Sequence, residues 1–312
     1  MRKSFIIWVL ATTAIFKMAA QQDAQFTQYM YNTVAINPAY VGSREVLSIA
    51  ALHRSQWVGL DGAPKTQTFN LHSPMGKQVG MGMSIVNDQI GNGTLKETSF
   101  DLAFSYRVPI GIEGHLSFGL KAGGHLLNLD LSKLSGFLEE QRNNGFSNVD
   151  NNFSPNFGTG IYYRTNRFYA GLSVPNFLET EHFDGSANST SYLARERINW
   201  YTILGYVFDI NNNLRFKPAL LFRAVKGAPV QMDLSGNLLI NNSFSLGAAY
   251  RWEAAFSALA GFQISDQLLL GLAYDREITE LGDTAFSDGT FEVFLRFELF
   301  DGKNGVLTPR FF

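Results

Sequence analysis

The chain has no cysteine, little charge and no long apolar run beyond its first twenty residues. Without cysteine, a small disulfide-stapled scaffold is excluded. Charged residues are 17% of the sequence, against about 25% in a typical soluble domain. The net charge is −2 and no Lys/Arg cluster stands out, which excludes nucleic acid as a partner, since that binding needs a basic patch. Beyond the leader there is no stretch of about 20 apolar residues, the length a membrane-spanning helix needs. Aromatics, by contrast, are abundant: 14% of residues, 27 of them Phe. Length alone permits one large domain or two.

Motifs for catalysis are missing too. The five histidines, His53, His72, His115, His125 and His182, form no zinc spacing such as H-E-x-x-H. There is no G-x-S-x-G for a serine nucleophile, no P-loop and no dinucleotide fingerprint. Glu139, Glu140 and Asp150 lie in a polar stretch that would not hold a carboxylate pair in fixed geometry. The expectation is a protein that is not an enzyme and uses no metal or cofactor.

Residues 1–20 read as a secretory signal peptide. Arg2 and Lys3 supply the positive start, Phe5 to Phe16 the apolar core, and Met18-Ala19-Ala20 a small-residue cleavage site, placed after Ala20. Lys17 is unusual so close to that site.

The rest of the chain is organised by a period of two. In HLSFGLKA (115–122), Leu116, Phe118, Leu120 and Ala122 alternate with His115, Ser117, Gly119 and Lys121. SFDLAFSYRV (99–108), SFSLGAAYRW (243–252) and TFEVFLRFELF (290–300) behave alike. Alternation means strands with one greasy face and one polar or small face. A soluble sandwich turns the greasy face inward; an outer-membrane barrel turns it to lipid. The barrel is favoured by bulky aromatics on one face and by glycines on the other: Gly80, Gly82, Gly119, Gly123, Gly171, Gly205, Gly247, Gly261 and Gly271. Segments of about 9–11 residues also suit a tilted crossing strand.

Strand starts are expected near residues 44, 65, 78, 95, 114, 156, 167, 197, 214, 229, 243, 254, 267 and 290. The fold class is therefore all-β: a transmembrane antiparallel up-and-down barrel of about 14 strands. The even count puts both termini on the periplasmic side. Tight turns at 164–167, 209–213, 241–242 and 265–267 would then be periplasmic, and the long polar segments near 128–153, 177–196 and 276–289 external. Only the short connection near 253 breaks that pattern. A cation facing mid-membrane lipid costs roughly 2–4 kcal/mol, so Lys121, Arg223 and Arg296, which are in phase with the small set, should face the lumen.

Phe26–Asn32 (FTQYMYN), Asn37–Ser43 (NPAYVGS) and RSQWVGLDGAPKTQTFNLHSP (54–74) resemble the start of the PorP/SprF family. The resemblance continues through SIVNDQIG (84–91), SYRV (105–108), LSFGLKAG (116–123), PNFGTGIYY (155–163), YAGLSVPNF (169–177), GAAYRW (247–252) and PRFF (309–312). It departs at GTFEVFLRF (289–297), where many relatives look closer to a Gly-Ser-His-Glu stretch, so a role for that His is unavailable here. The resemblance implies a type IX secretion component in the outer membrane of Bacteroidota. It would support export or surface delivery of proteins with C-terminal sorting domains, gliding adhesins among them, by docking cargo or scaffolding the machine. Implied partners are the translocon and periplasmic ring, a peptidoglycan-binding lipoprotein, cargo and membrane lipid. The alternative function is a passive or ligand-specific channel for small solutes.

The expected organisation is a signal peptide (1–20), a periplasmic or lumen-plugging segment (21–43), the barrel (44–300) and a periplasmic tail (301–312). In the segment, Asn37-Pro38 denies a helix and suits a turn. Phe26, Tyr29, Tyr31 and Tyr40 would plug a glycine-lined bore or dock a partner, or merely lead into the first strand. Arg54, Gln56, Trp57, Asp61, Gly62 and Pro64, with Asp88 and Gly91, mark two external loops that serve either as contact surface or as rigid hairpins. Arg310 and Phe312 mark the tail, which docks a periplasmic partner or rests on the barrel rim.

Overall fold

Alternating side chains produce one antiparallel sheet that closes on itself. The computed structural model describes residues 25–133, 148–179, 198–225, 228–279 and 288–300. The strands are β1 (Leu47–Ser55), β2 (Lys65–Met75), β3 (Val79–Ile90), β4 (Leu95–Ile110), β5 (Gly114–Leu129), β6 (Val149–Arg164) and β7 (Phe168–Val174). They continue as β8 (Asn199–Tyr206, resumed at Phe208–Asn211), β9 (Leu214–Val225), β10 (Gln231–Ile240), β11 (Phe244–Arg251), β12 (Ala255–Gln263), β13 (Leu268–Glu277) and β14 (Thr290–Leu299). Both parts of β8 pair with β9 and are separated only by Val207, so the described strands number fourteen. Each strand pairs with the next, and β14 pairs with β1 from Leu47↔Leu299 to Ser55↔Phe291. Every described strand thus has a neighbour on both sides, although β6 extends past the short β7, with which it pairs only from Thr159↔Val174 to Arg164↔Tyr169.

The faces follow the expected phase. On β4, Asp101 is 6% exposed while its neighbour Leu102 is 56% exposed. Lys121, Arg223 and Arg296 are all buried inside, and Phe100, Phe104, Phe118 and Leu120 project outward. A layered sandwich would show the reverse. Some inward positions are nevertheless large and apolar, notably Tyr162, Tyr169, Tyr201, Leu269 and Phe294. They share one buried cluster with Phe26, Tyr29, Tyr40 and Val41.

One strand begins well before its expected start. β6 opens at Val149, inside the polar stretch expected to be a loop, and pairs with β5 as far as Leu129. β4, β5 and β6 are each 16 residues long, about 50 Å at 3.3 Å per residue, more than a bilayer core requires. Past the lipid, a strand no longer needs a greasy face, so the periodicity fades while the hydrogen bonding continues. A register shift between Leu127 and Leu129, with Asn151 at φ +48°, marks the irregular part.

β1 begins and β14 ends at the same end of the barrel, called the near end here. Tight turns at 76–78, 111–113, 165–167, 212–213, 241–243 and 264–267 lie there too. The other connections lie at the far end.

The core lies inside the ring. Residues 25–46 run through it, with α1 a single turn (Thr33–Ile36) followed by a 3-10 turn (Pro38–Tyr40). The expectation that Asn-Pro forbids helix is thus corrected on both sides of Asn37. α1 ends before Pro38, and Pro38 opens the next turn, where its missing N–H costs nothing. The Asn37 side chain accepts the Ala39 N–H at 2.9 Å and so caps that turn.

Candidate functional site

The lumen and the segment that fills it form the first site. At the far end, the carboxylate of Glu292 on β14 accepts the backbone N–H groups of Thr27 (3.0 Å) and Gln28 (2.8 Å). Arg54 on β1 bridges Asp275 (2.9 Å) and Glu292 (3.1 Å) and donates to the Thr27 hydroxyl at 2.8 Å. That hydroxyl donates in turn to Asp275 at 2.6 Å. Gln231, the first residue of β10, donates to Gln25 at 3.1 Å. Charges buried this completely are retained only where each is paired and hydrogen-bonded, as these are.

Further along, Tyr31 stacks on Phe294 with ring centroids 5.4 Å apart, which explains the inward aromatic on β14. Lys217 Nζ and the Arg296 guanidinium lie 5.2 and 5.8 Å from the same ring. Asn70 donates to Asn32. Asn37 reaches across to β6, its amide donating to the Ile161 carbonyl at 3.1 Å, and Ser173 on β7 donates to the Ile36 carbonyl at 2.7 Å. Tyr40 lies edge-on between His72 (5.6 Å) and Tyr162 (5.4 Å).

At the near end the segment is clamped again. Gly42 N–H donates to His72 Nδ1 at 3.1 Å, so that nitrogen carries the lone pair. The Val41 and Gly42 carbonyls accept from Ser105 (2.7 Å) and Arg107 (2.6 Å). Arg44 makes a two-pronged pair with Glu298 at 2.5 and 2.9 Å. Glu45 is shared by Arg107 (3.1 Å) and Arg164 (2.5 Å).

The wall glycines are shaped to this segment. A Cβ on Gly119 would overlap the backbone of Ala39, and one on Gly80 the carbonyl of Val41. Cβ atoms on Gly160 and Gly171 would run into the Asn37 side chain, and one on Gly271 into Gln28. Glycine stands in these strands where another backbone approaches closely.

The second site is at the far end. Trp57, at φ +44°, donates from its indole to Glu277 and from its backbone to Thr290 at 3.2 Å. Val58 exchanges backbone bonds with Gly289 (2.8 Å) and Asp288 (2.7 Å). The Gln56 N–H donates to the Pro64 carbonyl at 3.0 Å. The Gly91 N–H donates to the Gly62 carbonyl at 2.8 Å, and Asn92 donates to Asp61 at 2.8 Å. Asp88 accepts from Thr66 at 2.5 Å. The β1–β2 loop therefore joins the β3–β4 turn and the entry to β14.

The sequence-selected residues thus fall into two groups. Phe26, Tyr29, Tyr31, Asn37, Pro38, Tyr40 and Arg54 meet in the lumen, while Gln56, Trp57, Asp61, Gly62, Pro64, Asp88 and Gly91 meet at the far rim. Arg310 and Phe312 are outside the described residues. Sequence reasoning missed Asp275, Glu292 and Glu298, as well as Arg44, Glu45, Arg107 and Arg164. The signal available for the strand residues was phase: each is a charge on the small-residue face.

The model for the type IX secretion system membrane protein PorP/SprF matches residues 18–297. The chain belongs to the PorP/SprF family. It is accordingly a membrane component of type IX secretion with an outer-membrane β-barrel fold. No curated protein sequence matches the chain. Among solved structures, the CymD monoaromatic hydrocarbon channel is similar at a TM-score of 0.50 and 11% identity, over 88% of this chain and 94% of that one. The Acinetobacter baumannii outer membrane protein Omp33 gives 0.49 at 9% identity, over 83% and 100%. The Ralstonia pickettii toluene transporter TbuX gives 0.49 at 11% identity, over 84% and 91%. At such identities the likeness to CymD speaks to the barrel alone.

Proposed function

We propose that this barrel is a non-enzymatic scaffold or cargo-docking component of type IX secretion, with a lumen closed by its own residues 25–46. It supports the export or surface delivery of proteins bearing C-terminal sorting domains. The observation that carries this reading is the path of the segment, bonded to inner faces around the ring from β14 and β1 to β7. A bore filled by buried ion pairs and ring stacking suits a platform better than a solute path. The near end, with its tight turns, faces the periplasm and meets the ring and its lipoprotein. The far rim, built on Trp57, Gly62 and Gly91, faces outward and meets cargo or a sister subunit.

Two experiments test the proposal. Deletion of the gene should leave at least one sorting-domain protein undelivered to the surface; normal delivery of all of them refutes the role. Purified protein in planar bilayers should be electrically silent, whereas steady conductance favours the solute channel.

A further inference from the structure

The direction of the segment inside the barrel carries a topological consequence. Gln25 bonds to Gln231, where β10 starts at the far end, and Thr27 and Gln28 bond to Glu292, two residues into β14 from that same end. Arg44 pairs with Glu298 beside the last residue of β14, and Glu45 with Arg164, the last residue of β6, both at the near end. The intermediate contacts descend in order: Tyr31 at Phe294, Asn32 at Asn70, Tyr40 at His72, and Gly42 at Arg107. The segment is therefore threaded through the bore from end to end. It is not folded back on itself from the near side. This departs from the expectation that both chain ends share a side. The two barrel ends do, but Gln25 sits opposite them.

We infer that Gln25 lies at the cell-surface mouth of the bore, while the C-terminal end of β14 faces the periplasm. The inference rests on the orientation given under Proposed function, which assigns the near end to the periplasm. Its physical basis is the set of far-end bonds at Thr27, Gln28 and Arg54, which hold the amino end at the outer mouth. A segment anchored there cannot slip out toward the periplasm without drawing its amino end through the whole bore.

The cysteine-free chain makes the test clean. Single variants Gln25→Cys, Glu253→Cys in a far-end turn and Asn166→Cys in a near-end turn are labelled with a membrane-impermeant maleimide. Labelling is done on intact cells, on permeabilised cells and after denaturation. Gln25→Cys should label on intact cells together with Glu253→Cys, and Asn166→Cys only after permeabilisation. If Gln25→Cys follows Asn166→Cys, threading is overturned. If Gln25→Cys and Glu253→Cys label only after permeabilisation while Asn166→Cys labels on intact cells, threading stands and the assigned orientation fails. A Gln25→Cys thiol reached only after denaturation also counts against an exposed amino end.

Discussion

Gly119→Ala isolates the segment from the wall that holds it. Gly119 faces inward on β5, and an added methyl would overlap the backbone of Ala39. Ala39 is fully buried and its N–H is tied to Asn37, so the obstacle is fixed backbone and not the end of a flexible side chain. Forcing a methyl into a packed site costs about 1–3 kcal/mol. At about 1.4 kcal/mol per decade, the seated-to-displaced ratio of the segment falls ~5- to ~150-fold. The strand itself should not suffer, because glycine within a strand is already the weaker choice. Gly236→Ala is the matched control: its added methyl meets only the Phe216 ring, at 3.1 Å. The assay is single-channel recording of purified protein in planar bilayers. Gly119→Ala should show intermittent openings absent from the parent and from Gly236→Ala. If Gly119→Ala is as silent as the parent, or Gly236→Ala opens equally, the glycines do not shape the bore for the segment.

Three further outcomes follow from the geometry. Arg54→Met strands the carboxylates of Asp275 and Glu292 inside the barrel, a loss of about 3–5 kcal/mol; thermal unfolding followed by gel mobility should show a lowered transition, and an unchanged one contradicts the pairing. Leu270→Arg turns a cation toward lipid at a cost of roughly 2–4 kcal/mol and should abolish recovery from membranes, whereas Gln267→Arg, in an exposed near-end turn, should be recovered normally. Trp57→Phe removes the indole donor to Glu277, worth about 1.5–3 kcal/mol for a bond to a charged group; protease cleavage of the β1–β2 loop should accelerate, and an unchanged rate refutes the anchoring role.

Much of the wall could be read directly from residue order. A period of two needs no tertiary information, so strand starts at 65, 95, 114, 214 and 290 coincide with those observed. β6 escaped because its first residues lie where the outer face no longer needs to be greasy. The contents of the bore were harder to read. Glycines at 80, 119, 171 and 271 signalled a small inner face, but which group presses on each depends on partners distant in sequence. Thr27 and Glu292, for example, are 265 residues apart. Phe294 looks like an error of phase until Tyr31 is found stacked on it. Glu45 sits beside Arg107 and Arg164 only because three separate strand beginnings and endings converge at the near mouth.

A density map of the purified protein in lipid nanodiscs tests the filled lumen most directly. Continuous density is expected inside the ring, from Gln25 beside Gln231 to Arg44 beside Glu298. An open bore, with that stretch lying outside the barrel, would contradict it.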